Sequence, residues 1–231
     1  MNLAIVGYGK MGRLIEHLAT EYGFDVKLRL DVDNNSKFEG FTKENFRGVD
    51  AAVEFSTPSA AIENIERLAR LGVNAVIGTT GWFGEIERVR AAVERGGTGL
   101  VWSPNFSVGV SVFNQIVAEA ARLLARQPEY GAWAWEIHHA TKKDAPSGTL
   151  LALVERMKEQ GYRKPIDTSS IRAGAHPGTH EIGFDSAADT ITIRHTARSR
   201  EGFARGALRA ARWVAGKKGF FDFREIVNEL E

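Results

Sequence analysis

Leu3-Ala4-Ile5-Val6-Gly7-Tyr8-Gly9-Lys10-Met11-Gly12 is the stretch on which the fold turns. Four apolar residues in an unbroken run are what a strand buried on both faces requires, as in a parallel sheet. A Gly-x-Gly-x-x-Gly follows at once, and Met11, Leu14, Ile15, Leu18 and Tyr22 then recur at helical spacing as far as Gly23. The glycines allow a tight turn and close approach of backbone to a pyrophosphate. The helix N-terminus adds N–H donors and a favourable dipole. Val26-Lys27-Leu28-Arg29-Leu30-Asp31 reads as a second strand ending in an acid, nineteen residues beyond Gly12. A carboxylate there reaches the adenosine ribose hydroxyls. A Gly-x-Gly-x-x-Gly alone reads equally well as a glycine-rich turn; the strand before it, the helix after it and the acid at this distance select dinucleotide binding.

Gly7, Tyr8, Gly9, Lys10, Met11 and Gly12 are therefore expected to line a dinucleotide, with Asp31 on the ribose and Asp33 as the next choice. No arginine directly follows Asp31, and two nearby acids would repel a 2′-phosphate. That favours NADH, while Lys10 and Arg29 leave NADPH open.

The alternation continues outward. Residues 49–56 read as a third strand, and Ile62, Ile65, Leu68 and Ala69 as a helical face that ends at Gly72. Residues 73–77 form a fourth strand closing in Gly78-Thr79-Thr80-Gly81, and Ile86, Val89 and Val93 mark another helix that stops at Gly96-Gly97. Gly99 to Trp102 is a fifth strand, running into Ser103-Pro104-Asn105-Phe106. This pattern predicts a Rossmann-like, doubly wound parallel sheet whose ligands bind beyond the C-terminal strand ends. Ser56-Thr57, Gly78, Thr79, Thr80, Ser103, Pro104, Asn105 and Phe106 all fall there and are expected to wall the ribose and nicotinamide. Each turn taken alone is equally a plain connection. The five tryptophans read as core or interface, with Trp82 also placed to cover the cofactor edge.

After Phe106 the pattern changes. Val112, Phe113, Ile116, Val117, Ala120 and Leu124 give one long amphipathic helix. Trp133, Trp135 and Ile137 then alternate with Ala134, Glu136 and His138, as in a half-buried strand. Leu150, Leu151, Val154 and Met157 mark a helix ending at Gly161, and three further strands, with antiparallel-type signals, are read at 169–172, 179–186 and 189–199. An alanine-rich helix from Phe203 to Val214 is expected to return to the first domain, with Phe220-Phe221 and a helix near Ile226-Val227 closing its base. The fold class is thus α/β: a dinucleotide-binding domain over 1–106, joined by C-terminal helices at about 203–231, and an α+β substrate and oligomerisation domain over 107–202 with a mixed or antiparallel sheet.

Between the Trp-rich strand and its helix lies Glu136-Ile137-His138-His139-Ala140-Thr141-Lys142-Lys143-Asp144-Ala145-Pro146-Ser147-Gly148-Thr149. Imidazole exchanges protons near neutral pH, lysine supplies a compact cation or a proton, and a helix opening at Ser147 offers N–H groups to an anion. A small anionic substrate and a proton transfer fit these residues; a surface loop with a helix cap is the plainer reading. Lys143 reads as a solvated charge, and Asp144 as a residue that orients the loop.

Composition narrows the field. Thirty basic and 29 acidic residues in 231 leave a formal charge of +1, so no global field points to nucleic acid or membrane. The absence of cysteine excludes disulfides, thiolate zinc sites, iron–sulfur clusters and a cysteine nucleophile, and it suits a reducing compartment. His17, His176, His180 and His195 show no matching acid or thiol cluster in the sequence, so no metal is expected. The N-terminus lacks a basic n-region, and no apolar run approaches the ~18 residues of a membrane helix, so a cytoplasmic protein is expected.

The 136–149 segment resembles the 4-hydroxy-tetrahydrodipicolinate reductase (dihydrodipicolinate reductase) family, meeting the pattern E-x-H-H-x-x-K-x-D-A-P-S-G-T at every fixed position. Gly7 to Gly12, Gly78 to Gly81, Ser103 to Gly109 and Arg194 to Arg200 look like that family's further motifs, in its order, so the resemblance spans the chain. It implies an NAD(P)H-dependent reduction of a cyclic imine bearing two carboxylates, in lysine and diaminopimelate synthesis. Hydride would add to C4 of the conjugated C=C–C=N system, and protonation at carbon would follow. Carried over by position, His138 is implied as the acid/base, Lys142 as the proton donor, His139 as a substrate contact, and Ser147, Gly148 and Thr149 as the holders of a substrate carboxylate. A homotetramer built through the second domain's sheet is also implied. Ala140 and Thr141 stand where many members carry basic or aromatic residues, which lowers the local charge. Two rivals remain: an amino-acid dehydrogenase of the same architecture, and a non-enzymatic NAD(H)-sensing module.

Overall fold

The computed structural model describes residues 1–230. In chain order the first segment runs β1 (Asn2–Val6), α1 (Lys10–Ala19), β2 (Asp25–Leu30), α2 (Val32–Asn35), β3 (Ala51–Glu54), α3 (Pro58–Arg70), β4 (Ala75–Ile77), α4 (Ile86–Gly96) and β5 (Gly99–Trp102). Next come α5 (Val108–Leu124), β6 (Gly131–His138), α6 (Gly148–Glu159), β7 (Ile166–Arg172), β8 (Thr179–Asp185) and β9 (Thr190–Thr196). The chain closes with α7 (Glu201–Val214), β10 (Gly219–Asp222) and α8 (Phe223–Ile226). Two compact units result: Met1–Val108 with Glu201–Glu231, and Gly109–Arg200.

In the first unit six parallel strands lie in the order β10-β5-β4-β3-β1-β2. Both faces are covered, which is why β1 is apolar at every position from Leu3 to Val6. Leu3 and Ile5 pack with Val53, Val76 and Val101 against Ile15 and Leu18 of α1 and Ala207, Leu208 and Ala211 of α7. Ala4 and Val6 face the opposite side, with Ile65 and Leu68 of α3 and Val89 and Val93 of α4. Small residues let α7 lie close: a Cβ on Gly206 would strike the Phe106 carbonyl.

The C-terminal segment differs from the sequence expectation. Phe220 and Phe221 belong to a sixth strand, β10, which pairs in parallel with β5. Trp82 is 2% exposed and packs against Phe83 and Trp102, at ring distances of 5.0 and 6.1 Å, so it is core and not a cover for a cofactor.

The second unit is a four-stranded sheet, β7-β6-β8-β9, with α5 and α6 on one face. Phe113, Val117 and Ala121 of α5 and Leu150, Leu153 and Met157 of α6 pack on Ala134, Ile182 and Phe184. The antiparallel signal is incomplete here. β6 and β7 run parallel, with α6 as the crossover, whereas β6–β8 and β8–β9 are antiparallel. Trp133 and Trp135 lie on the uncovered face, where with Ser169 and Ile171 they line a hollow of about 360 Å³. Among the described residues no helix is long and apolar enough to cross a membrane.

Candidate active site

At the end of β1, Gly7 turns the chain at φ +89°, and its N–H donates to the Leu30 carbonyl at 2.8 Å. A Cβ on Gly7 would strike the Phe55 carbonyl, and one on Gly12 the Gly7 carbonyl, whereas Gly9 faces open space. Gly9 caps α1 with extended backbone and no side-chain hydrogen bond, leaving the helix N-terminus to an incoming anion. This is a cradle that fits a pyrophosphate. Tyr8 and Arg29 both donate to Glu16, Arg29 Nε at 2.7 Å, and together they hold the Glu16 carboxyl below its usual range. Asp31 follows β2 directly and caps α2, its carboxylate accepting from the Val32 N–H at 2.9 Å.

The remaining strand-end residues separate into two kinds. Thr79 Oγ1 accepts from the Ser56 N–H at 2.8 Å, and Gly78 has no room for a Cβ because the Phe55 ring fills it. Beside them Glu54 is fully buried; burial pushes its carboxyl up, against hydrogen bonds from Ser56, Thr79 and Asn64. Ser103 Oγ and the Asn105 backbone bond each other, at 2.8 and 3.1 Å, and fold the turn on itself. Pro104 is exposed on that turn, as are Lys10 and Thr80 on theirs. The Phe106 side chain does not face the strand ends. It is 1% exposed and wedged between Phe55 and Phe223, 6.2 and 4.8 Å away.

In the second unit the sheet register assembles a polar row on the helix-covered face. Ser170 of β7, Glu136 of β6, His180 of β8 and His195 of β9 are successive cross-strand partners, and Arg172 pairs with His138 one step along. Glu136 is completely buried. Its Oε1 accepts from the Ser147 N–H at 2.8 Å, from Ser170 Oγ at 3.0 Å and from Arg172 Nη2 at 2.9 Å. Burial pushes the Glu136 carboxyl up, but the bonds from Ser147, Arg172 and Ser170 hold it at about 2. The second oxygen, Oε2, lies 3.4 Å from His138 Nδ1 and 3.3 Å from His180 Nε2. Burial lowers the pKa of both histidines, that of His180 to about 4.

His180 therefore does have a matching acid, contrary to the sequence expectation. Arg172 supplies that acid's countercharge, so the cluster needs no ion to be neutral. Lys142 Nζ bonds both carboxylate oxygens of Asp144, at 2.7 and 2.8 Å. Ser147 caps α6, its Oγ accepting from the Leu150 N–H at 3.2 Å. Gly148 and Thr149 open the helix, and the Gly148 N–H is among the groups that lower the Asp144 pKa. His139 stands apart, its Nδ1 paired with Thr141 Oγ1 at 2.8 Å.

Two family profiles account for nearly the whole chain: "Dihydrodipicolinate reductase, N-terminus" over residues 1–106 and "Dihydrodipicolinate reductase, C-terminus" over 109–227. The chain is 33% identical to the 4-hydroxy-tetrahydrodipicolinate reductase of Christiangramia forsetii, covering 100% of this chain and 99% of the relative. The chain belongs to the dihydrodipicolinate reductase family. A second relative, from Methanoculleus marisnigri, is 35% identical over 91% of each chain. The fold matches that of the dipicolinate-bound dihydrodipicolinate reductase from Paenisporosarcina sp. TG-14, with TM-score 0.79, 22% identity and coverage of 100% and 99%. Dihydrodipicolinate reductases are pyridine-nucleotide-dependent oxidoreductases of lysine and diaminopimelate biosynthesis, and that is the activity of this chain.

Within this reductase framework, Arg172 and Ser170 have no role by sequence alone, His180 is set aside there for want of an acid, and Glu136 has a strand face but no role. What unites them is register across three strands, which no local pattern encodes. A trace was present: Glu136/His138 and Ser170/Arg172 are each polar pairs two residues apart, on strands whose intervening residues are apolar.

Proposed function

We propose that the chain reduces the dehydrated form of 4-hydroxy-tetrahydrodipicolinate, with NADH preferred, and that His138 and Lys142 handle the proton. The observation that carries this reading is the placement of His138 beside a buried, ionised carboxylate, on the loop system that also holds Lys142 and the α6 N-terminus. The bound cofactor supplies hydride from its dihydronicotinamide to C4 of the substrate. Gly7 to Gly12 hold its pyrophosphate at the α1 N-terminus, Asp31 receives the ribose, and Gly78 to Thr80 with Ser103 to Asn105 form the strand-end wall; Phe106 shapes that wall through its backbone.

Hydride delivery leaves an enamine that needs a proton at carbon. Lys142 donates it as a general acid, and His138 exchanges the proton lost or gained at the ring nitrogen. His139, Ser147, Gly148 and Thr149 hold the carboxylates. Lys142 and the Gly148 N–H now face Asp144, so a substrate carboxylate competes with Asp144 for the same donors. Dipicolinate, the planar dicarboxylate bound by the Paenisporosarcina protein, is the natural competitive probe.

NADH preference is supported by Arg29, whose guanidinium is engaged by Glu16 and so is not offered to a 2′-phosphate. A biosynthetic role supports a cytoplasmic location. The sheet face bearing Trp133 and Trp135 supports a homotetramer that covers it, and sedimentation at assay concentration is expected to give four copies. The amino-acid dehydrogenase and NAD(H)-sensor readings leave the Glu136–His138–Lys142 arrangement without a task. The test is a coupled assay in which the upstream synthase makes substrate from pyruvate and aspartate semialdehyde. NADH absorbance is expected to fall only with all components present. Folded, cofactor-binding protein that oxidises neither NADH nor NADPH would overturn the reading.

A further inference from the structure

We propose that Glu136 is the positioning residue of the site: its buried carboxylate fixes the ring and tautomer of His138 and ties that ring to the loop bearing Lys142. The proposal rests on the reading that His138 transfers a proton.

A carboxylate with no solvent exposure persists as an ion only when its oxygens are matched by donors. For Oε1 the match is complete, with a backbone N–H, a hydroxyl and a guanidinium all within 3.0 Å. Oε2 is different. It is buried and lacks a well-aligned partner, and so is His138 Nδ1, 3.4 Å away. Two complementary buried atoms facing each other at that distance are joined by a slight turn of the imidazole. Nδ1–H then donates to Oε2, and Nε2 is left as the atom that exchanges protons. Nε2 points toward Gly178, where the missing side chain keeps that edge of the ring clear: a Cβ would lie 3.0 Å from it.

His180 shares the carboxylate but not the role. Its Nε2 is 3.3 Å from Oε2 and 3.2 Å from Ser147 Oγ, and burial keeps it neutral. Its ring stands edge-on to His138, with centroids 5.0 Å apart, and so limits how far that ring swings. A second branch runs through Arg172. Its Nη2 bonds both Glu136 Oε1 and the Asp144 carbonyl, the latter at 2.5 Å, and the Asp144 carboxylate holds Lys142. Removing the charge at Glu136 therefore loosens His138 directly and Lys142 at two removes.

The charged and titratable groups facing His138 are Glu136 on its own strand, Arg172 on β7, His180 on β8, and Lys142 and Asp144 on the loop. Glu136 and Asp144 favour the imidazolium; Lys142 and Arg172 oppose it. With Glu136 neutralised, the cations dominate and the His138 pKa falls. A glutamine amide that turns its NH₂ to Nδ1 would also impose the opposite tautomer.

The experiment compares Glu136→Gln and Glu136→Asp with the unaltered enzyme, using NMR of the ring nitrogens of His138 alongside steady-state kinetics. For Glu136→Gln the expected result is a lowered His138 pKa, a shifted tautomer and kcat reduced on the order of 10²–10⁴-fold, with NADH affinity retained. Glu136→Asp, which keeps the charge, is expected to restore the His138 pKa and part of kcat; it carries the test if the glutamine variant does not fold. An unchanged His138 pKa and tautomer in the folded variants would overturn the proposal. If His138→Gln instead turned over at the full rate, the proton-transfer reading would fail, while a tautomer shift in Glu136→Gln would still establish the positioning contact.

Discussion

Gly178 sets the room available to the Nε2 edge of His138, the edge proposed to exchange protons. Its φ of +139° is one that residues with a side chain rarely adopt, and a Cβ would press on Nε2 at 3.0 Å. Gly178→Ala is therefore expected to displace the imidazole and lower kcat about 10²-fold, because ring displacements of about 1 Å have effects of that size. Fluorescence titration should find NADH binding unaltered, since the dinucleotide cradle belongs to the other unit. The polar residues of the 136–149 loop are legible in the sequence because they crowd fourteen consecutive positions. Arg172 and His180 could not, since they reach Glu136 only through strand pairing. Trp82, a core or interface residue by sequence with a second place at the cofactor edge, is core, and the Phe106 side chain also packs among aromatic rings instead of facing the strand ends.

β6 works on two faces at once. Ala134, Glu136 and His138 turn toward the helices, and Trp133, Trp135 and Ile137 away from them, as period-two alternation requires. That division was legible in the strand itself. Its parallel pairing with β7 was not, because whether a strand runs with or against its neighbour depends on the α6 crossover. β10 escaped notice for a related reason: Gly-Phe-Phe-Asp is only four residues, and its strand conformation comes from the edge that β5 offers. α6 links the core to the site. Leu153 is fully buried against the sheet while Ser147, six residues earlier, caps the helix and bonds Glu136. Leu153→Ala is expected to cost about 2–5 kcal/mol in urea unfolding. Ser147→Ala should cost about 1 kcal/mol for the lost cap and more for the lost Oγ contact with buried His180, although its backbone N–H still reaches Glu136.

For the molecule as a whole, the buried acid–imidazole cluster makes stability depend on pH. The folded pKa of His180, about 4, lies below its ordinary value of 6.5, so the unfolded chain binds more protons between these limits. This contribution is fully present above about pH 6.5 and is lost as pH falls toward 4, a loss on the order of 3 kcal/mol. Glu136, ionised down to about 2, adds a further loss below its ordinary 4.5. Urea unfolding followed from neutral pH to pH ~4 should show the first loss in the native chain and a shallower one in His180→Gln. The two-unit plan divides at Val108, close to where the two family profiles meet, whereas the C-terminal segment, which the second profile includes, returns to the first sheet. Whether proton transfer, and not cofactor binding, resides on the 136–149 loop is decided by kcat and the NADH dissociation constant of His138→Gln and Lys142→Ala. The expected result is kcat reduced at least about 10²-fold in each, with NADH affinity within about twofold of the native enzyme. NADH affinity falling in step with turnover, or native turnover in both variants, would contradict it.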